Sequence, residues 1–252
     1  MSIGYARGLA GIDRTDRSNR HLGWTLAFIA GATNAGAFLA VKQYTSHMTG
    51  VVSAMADNLV LGDYRLVLNA LGALLSFLLG AMTTAILVNF AKRRHLKSQF
   101  ALPLLLEAAL LLLFGVIGAQ LHGVQGLIVP GTVALLCFIM GLQNAVITKV
   151  SNSVIRTTHV TGLITDMGIE LGKLVYWNRT VADPALRVVA DRDRLLVLSL
   201  LVVAFFVGGI VGALGFERLG YAMTVPLAFV LVIVAAVPAV DDIKDYWARS
   251  SA

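Results

Sequence analysis

Six long apolar runs constrain this chain more than any other feature. They cover residues 22–41, 66–91, 101–121, 127–148, 195–215 and 221–240, with most charges in the gaps between them. About 20 apolar residues in a helix are needed to cross a hydrocarbon core roughly 30 Å thick. Hydrophobic residues make up 58% of the chain and charged residues only 13%, which is outside the range of ordinary soluble domains. The sequence therefore predicts an all-α membrane protein.

Polar segments repeat between the two halves of the chain. Gly31-Ala-Thr-Asn-Ala in the first half is restated by Gly141-Leu-Gln-Asn-Ala in the second. The segment Thr45-Ser-His-Met-Thr-Gly, here called the first motif, is restated by Thr157-Thr-His-Val-Thr-Gly, the second motif, at nearly the same offset along the chain. Downstream, Phe77-Leu-Leu-Gly is echoed by Phe206-Val-Gly-Gly. An internal repeat of this kind predicts two halves with similar structures.

The distribution of lysine and arginine predicts six spans with both termini in the cytoplasm. Short cytoplasmic loops carry an excess of these residues. With six spans, seventeen of the twenty lie inside, and only Lys42, Arg65 and Arg218 lie outside. If the motif segments 47–62 and 159–174 also crossed, the count would be about twelve against eight. Three spans per half is an odd number, so the second half must be inverted relative to the first.

The two motif segments are too short to cross the membrane. A helix of roughly 16 residues is about 24 Å long, less than the hydrocarbon thickness of about 30 Å. The predicted fold is therefore six transmembrane helices plus two re-entrant or broken motif helices, arranged as a 3+3 inverted repeat whose motifs meet near the midplane. The expected divisions are a basic cytoplasmic tail (1–21), membrane repeat 1 (22–121), an outer linker (122–126), membrane repeat 2 (127–240) with a cytoplasmic insertion (173–194), and a cytoplasmic tail (241–252). The run at 22–41 is read as a retained span, not a signal peptide.

Polar and ionisable side chains within the membrane segments are the candidate solute or ion pathway, because such residues usually mark a path. They are Asn34, Thr45, Ser46, His47, Thr49, Gly50 and Asp57 in the first half, and Asn144, Thr158, His159, Thr161, Gly162, Asp166 and Glu170 in the second. The histidines with Asp57, Asp166 and Glu170 suit a proton relay, and the alternatives are simple hydrogen-bond binding of a small polar solute and a structural role for the histidines. Asp166 and Glu170 share a helical face near His159, which predicts a stronger role for that histidine. A packing role remains the alternative for Asn34 and Asn144, since amides also join helices in lipid.

Several chemistries are not indicated. No phosphate-binding loop, zinc-protease motif or nucleophile elbow is present, so an enzyme is not expected. Metal ligation by the histidines would need help from the carboxylates, and neither a metal nor another cofactor is expected. The net charge of +6 is explained by cytoplasmic loops, so nucleic acid is not an expected partner. Glu107 has two interpretations: a structural partner for the basic loop 92–97, or a functional acid.

These features predict a small-solute transporter or channel-like permease with a midplane polar site formed by the two motifs. The alternative is a membrane sensor or assembly protein in which the motifs only pack. The expected partners are the lipid bilayer and an unidentified small polar solute, with protons as a candidate coupling ion and self-association left open.

Together the two motifs and their preceding Gly-x-x-Asn-Ala segments resemble the YoaK family of bacterial integral membrane proteins, a family of unknown function. The resemblance covers roughly residues 22–240 and implies a bacterial inner-membrane protein. Two positions differ from the family pattern. Val51 stands where family members commonly have Asn, and Asn34 stands where they often have Asp, so a charge is missing from the first copy.

Overall fold

The computed structural model describes residues 16–96, 98–119, 128–150, 160–176 and 187–250, and these ranges are almost entirely helical. The elements are α1 (Asp16–Val41), α2 (Met48–Leu61), α3 (Tyr64–Arg93), α4 (Ala101–Ala119), α5 (Ile128–Val150), α6 (Val160–Val175), α7 (Arg192–Leu219), a 3₁₀ turn (Gly220–Met223) and α8 (Thr224–Ser250). No β-strand occurs in these ranges.

Within the described ranges, five stretches are long and apolar enough to cross a membrane. They are Ser18–Val41, Tyr64–Arg93, Ala101–Ala119, Pro130–Val150 and Arg192–Ala236. The last is 45 residues long and contains α7, the 3₁₀ turn and half of α8. Helices α2 and α6 have only 14 and 16 residues. The protein is therefore a multi-pass membrane protein with two additional short helices.

Helix α7 packs closely against α1 because glycines bring the two backbones together. A Cβ on Gly208 would collide with the carbonyl of Phe28, and one on Gly212 would collide with the backbone of Ala32. Both contacts advance along the two helices in the same direction, so α1 and α7 run parallel. Small residues permit this approach in lipid, where van der Waals packing joins helices.

Helices α3 and α5 make an equivalent parallel crossing. Gly80 meets the backbone of Phe138, and Gly141 meets the backbone of Phe77. At the position equivalent to Gly212, the hydroxyl of Thr84 donates to the carbonyl of Leu142 at 2.9 Å. The two crossings therefore match helix by helix, since α5 takes the place of α1 and α7 takes the place of α3.

The packing also corrects the expected match of Phe77–Gly80 with Phe206–Gly209. Gly208 makes the contact that corresponds to that of Gly80, so Phe205 is the equivalent of Phe77. The second copy is therefore displaced by one position from the register predicted by the sequence.

Helix α8 turns back along α4. A Cβ on Gly115 or Gly118, at the end of α4, would collide with Thr224 or Tyr221 at the start of α8, so these two helices run antiparallel. The rings of Phe114 and Tyr221 meet edge to face at 5.6 Å. The turn before α8 requires Gly220, whose φ of +59° is costly for other residues.

The short helices lie at the edge of this assembly. Helix α2 packs chiefly on α3, and α6 packs on α7. Val51 is the one buried residue of α2, whereas Leu163 and Glu170 are buried in α6. Although both helices are peripheral, their first described turns lie close to α1 and α5.

Candidate functional site

Both halves contribute to a central cavity of about 770 Å³. The first half supplies Asn34 from α1 and Ser46, His47 and Thr49 from the first motif. The second half supplies Asn144 from α5 and Thr161 from the start of α6. The structure thus brings together six of the predicted pathway residues, although the two sets are far apart in the sequence.

The walls of the central cavity are related in the same way as the helix crossings. Asn34 corresponds to Asn144 and Thr49 to Thr161 in the two copies of the repeat, and the equivalent Phe77 and Phe205 contribute apolar walls. Two smaller grooves of about 360 and 390 Å³ flank the cavity, between α1 and α7 and between α3 and α5 respectively. Equivalent helices therefore surround the cavity on both sides.

Local contacts hold the first motif against the end of α1. The Ser46 hydroxyl donates to Asn34 Oδ1 at 3.2 Å, and the ring of Tyr44 stacks on Phe38 with centroids 4.8 Å apart. Lys42 lies over the same Phe38 ring at 5.8 Å. These contacts fold residues 42–47 back toward the cavity and place His47 immediately before α2.

His47 and Tyr44 also line a second cavity of about 590 Å³, here called the adjoining cavity. The adjoining cavity lies between α2, the first half of α3 and the start of α5, and its polar wall includes Asn58 and Asn69. Gly50 leaves room for the imidazole, since a Cβ there would collide with the His47 ring. His47 therefore stands between two cavities.

In the second half, backbone acceptors hold the polar residues of α5. Asn144 Nδ2 donates to the carbonyl of Met140 at 2.8 Å, and the Thr148 hydroxyl donates to the carbonyl of Asn144 at 2.7 Å. Two predicted pathway residues, Thr158 and His159, lie outside the described residues, so their predicted roles stay untested.

The predicted acids of α6 are engaged away from the cavity. Glu170 is buried and accepts hydrogen bonds from Lys173 Nζ at 2.8 Å and from the backbone N–H of Asp191 at 2.9 Å. Asp166 pairs with Arg194 at 3.0 Å. The hydrogen bond from Lys173, followed by that from Asp191, holds the pKa of Glu170 below its ordinary value. Neither acid is among the described residues that line the central cavity.

The remaining predicted positions lie beside the cavity or farther away. Thr45, the first residue of the first motif, is fully buried, and its hydroxyl has no hydrogen-bond partner among the described residues. Gly162 is half-buried in the first turn of α6, and Asp57 is exposed on α2. None of these three is among the described residues that line the central cavity.

Within its described residues, the structure does not show the pairing of Glu107 with the basic loop 92–97, which was one of its two interpretations. Its carboxyl group is fully buried in α4, and no described cation pairs with it, so a partner in the basic loop 92–97 is not found among the described residues. The amide of Gln143 is its polar neighbour, and Gln143 Nε2 also donates to the carbonyl of Leu26 at 3.3 Å. Gln143 precedes Asn144, so α5 carries one polar residue toward the cavity and one toward Glu107.

Sequence reasoning missed the aromatic parts of the cavity. Tyr44, Phe77 and Phe205 line it, yet none was selected as a candidate. A signal was present in Phe-x-x-Gly, which occurs on each of the four crossing helices, at residues 28–31, 77–80 and 138–141 and in two overlapping copies at 205–208 and 206–209. The glycine sets the crossing, and in α3 and α7 the phenylalanine also reaches the cavity.

The family described as "Protein of unknown function (DUF1275)" matches residues 22–237. The chain belongs to the DUF1275 family. In this DUF1275 protein, the matched range begins in α1, ends in α8 and includes every described residue that lines the central cavity. No functionally curated protein and no solved structure matches the chain.

Proposed function

We propose that this protein is a transporter or channel-like permease for a small solute, and that the central cavity is the solute site. The supporting observation is that equivalent polar residues from both halves, Asn34 with Asn144 and Thr49 with Thr161, line one cavity. Polar side chains are costly in an apolar environment unless they are satisfied. Their grouping around a cavity between apolar helices is typical of solute pathways.

The proposed architecture is six spans in an inverted repeat. The stretch Arg192–Ala236 would cross twice, since α7 and α8 are separate helices and α8 turns back along α4. Helices α4 and α8 are equivalent in the repeat and run in opposite directions, as inversion requires. Inverted repeats in transporters commonly bind substrates near the midplane, at the interface between the repeats.

The proposed location is the bacterial inner membrane, with both termini in the cytoplasm. It is supported by the excess of lysine and arginine in the segments assigned to the inside. The resemblance of the motifs to the YoaK family is consistent with this location and stays an expectation from the sequence.

Protons are the coupling ion that we propose. Histidine changes its charge near physiological pH, and His47 stands between the two cavities. Glu107 is a second candidate carrier, because buried ionisable residues in membrane proteins often belong to proton relays. A proton-coupled protein would move its solute faster when a pH gradient is imposed, and it would lose this dependence when Glu107 is replaced by Gln.

Solute flux through the purified protein in liposomes tests the proposal. A panel of small anions, neutral solutes and cations would be measured with and without a pH gradient, for the wild type, His47→Asn and the matched control His95→Asn. His95 is exposed in the turn after α3 and away from both cavities. We expect flux above protein-free liposomes, a loss of at least about tenfold in His47→Asn, and little change in His95→Asn. Flux equal to that of empty liposomes for every solute would favour a sensor or assembly role.

A further inference from the structure

The polar walls of both cavities carry no acid among their described residues. Lys42 is the one charged residue among those that line either cavity. The sequence extends this pattern, because residues 31–50 and 141–162 contain Lys42, Lys149 and Arg156 but no Asp or Glu. A cavity with apolar walls and charges of one sign concentrates ions of the opposite sign. The charge distribution therefore favours negatively charged ligands.

Helix α2 begins at the central cavity. Met48 and Thr49 belong to its first turn and line the wall, and Val160 and Thr161 of α6 line the wall from the second half. The first N–H groups of a helix lack partners within the helix, and His47 makes no capping hydrogen bond through its side chain. The helix dipole adds partial positive charge at the same end. In transporters with broken helices, such ends point at anionic groups of the substrate.

An amide donor in the cavity wall supports the same inference independently. Asn34 is only 9% exposed, and its Oδ1 accepts the hydrogen bond from Ser46. No described residue accepts a hydrogen bond from its Nδ2, which belongs to a side chain that lines the central cavity. This donor is not one of the fully enclosed unpartnered atoms, so it is accessible to a ligand in the cavity. An acceptor oxygen on a bound ligand would satisfy it.

We infer that the central cavity binds a small oxyanion, such as an inorganic anion or a carboxylate. The donors would be the first amides of α2, the amide of Asn34 and the hydroxyls of Thr49 and Thr161, with Lys42 attracting the ion from the adjoining cavity. The bound anion would also be the substrate of the proposed transporter, and this part of the inference rests on the proposed function. The same donors could bind the phosphate of a lipid headgroup, so the test must separate the two sources.

Binding would be measured first, on protein purified in detergent without added lipid. The melting temperature would be recorded with sodium nitrate, sodium formate or sodium phosphate, and with urea and methylammonium HEPES as neutral and cationic probes at matched ionic strength. We expect at least one anion to raise the melting temperature by several degrees, and urea and methylammonium to leave it unchanged. Stabilisation by an anionic phospholipid but by none of the free anions would assign the site to a lipid headgroup. Stabilisation by methylammonium or urea, or by none of the probes, would overturn the inference.

A carboxylate placed in the cavity should abolish anion binding. Asn34→Asp is nearly isosteric but adds a negative charge beside the donors, and we expect the anion affinity to fall at least tenfold. Asn89→Asp is the matched control, because Asn89 is exposed on α3 and lines neither cavity. If Asn34→Asp does not fold, Asn144→Asp makes the equivalent change from the other half. Unchanged anion affinity in the folded variant would place the binding site elsewhere and overturn the inference.

Flux of the same probes in phosphatidylcholine liposomes then separates the two proposals. Binding and flux of an anion would support both. Anion binding without flux would support the anion site and contradict the transporter. Flux of urea or methylammonium but of no anion would support the transporter and contradict the anion site.

Discussion

At the scale of single residues, His47 depends on a glycine three positions later. A Cβ at Gly50 would overlap the imidazole ring, so the absence of a side chain at residue 50 permits the position of His47 between the cavities. The bond from Ser46 to Asn34 then ties the same motif to α1. In the first motif, the glycine three positions after the histidine therefore has a steric reason: it leaves room for the imidazole ring.

Replacing Gly50 by Ala should displace the His47 ring. The colliding atoms belong to a side chain that can rotate, so the fold should persist while solute flux falls by about tenfold, as expected when a binding group is misplaced. Gly172→Ala is the control, because a Cβ there would meet nothing within 4 Å. Flux and melting temperature would be measured for both variants. Full flux in Gly50→Ala would show that the position of His47 is unimportant.

The repeat allowed the polar residues of the cavity to be predicted, because matched positions in two copies identify them without knowledge of the fold. It could not predict which acids reach the cavity. Asp166 and Glu170 share a face of α6, as expected, but that face packs against Arg194 and the start of α7. The expected stronger effect of substituting His159 therefore loses its original reason, since these acids have other partners.

At the scale of helices, Glu170 fastens α6 to α7. It binds Lys173 on its own helix and the N–H of Asp191 at the start of α7. Its pKa is lowered chiefly by Lys173 and Asp191. A carboxyl group whose pKa is lower in the folded state stabilises that state above its unfolded pKa, and this stabilisation is lost as the pH falls through the folded pKa.

Glu170→Gln should therefore lower the melting temperature at pH 7 by a few degrees, and the difference from wild type should shrink as the pH falls below the ordinary value of 4.5. Thermal unfolding in detergent between pH 7 and pH 3 measures this. Glu217→Gln, an exposed change on α7, is the control. A difference that is constant across the pH range would contradict the role of the ionised carboxylate.

The two glycine crossings should also respond alike to substitution. In Gly31→Ala and Gly141→Ala the new Cβ meets a backbone carbonyl that cannot rotate away, and overpacking of this kind costs about 1–3 kcal/mol. Gly168→Ala has open space and should stabilise its helix by about 0.5–1 kcal/mol. Unfolding titrations in a denaturing detergent would give the three values. A neutral result at either crossing would mean that the helices are farther apart than the structure shows.

At the scale of the whole molecule, the apolar runs predicted most of the long helices. The sequence could not predict which helices pack together, because every span has apolar faces and lipid is as apolar as a protein core. The crossings are specified by small residues whose spacing becomes meaningful only when the partner helix is known. The expected match of Gly80 with Gly209 was wrong for this reason.

The proposed six spans can be mapped with single cysteines or reporter fusions. Positions 95, 153 and 185 should report the cytoplasm, and positions 43, 63, 123 and 218 should report the outside. The antiparallel directions of α4 and α8 favour six spans over eight, and the lysine and arginine distribution assigns the sides. An outside signal at position 95 would contradict both the six spans and the inversion.

Cross-linking between the motifs tests the central claim that both halves form one cavity. Thr49 and Thr161 would be replaced by Cys in a Cys137→Ala chain that has a protease site in the linker 122–126, and the protein would be treated with short bismaleimides and then cleaved. We predict that the two halves stay joined, whereas the control pair of Thr49→Cys with Val203→Cys, an exposed position of α7 outside the cavity, separates after cleavage. Halves that separate in the Thr49–Thr161 variant, although each cysteine reacts with a simple maleimide, would contradict the shared site.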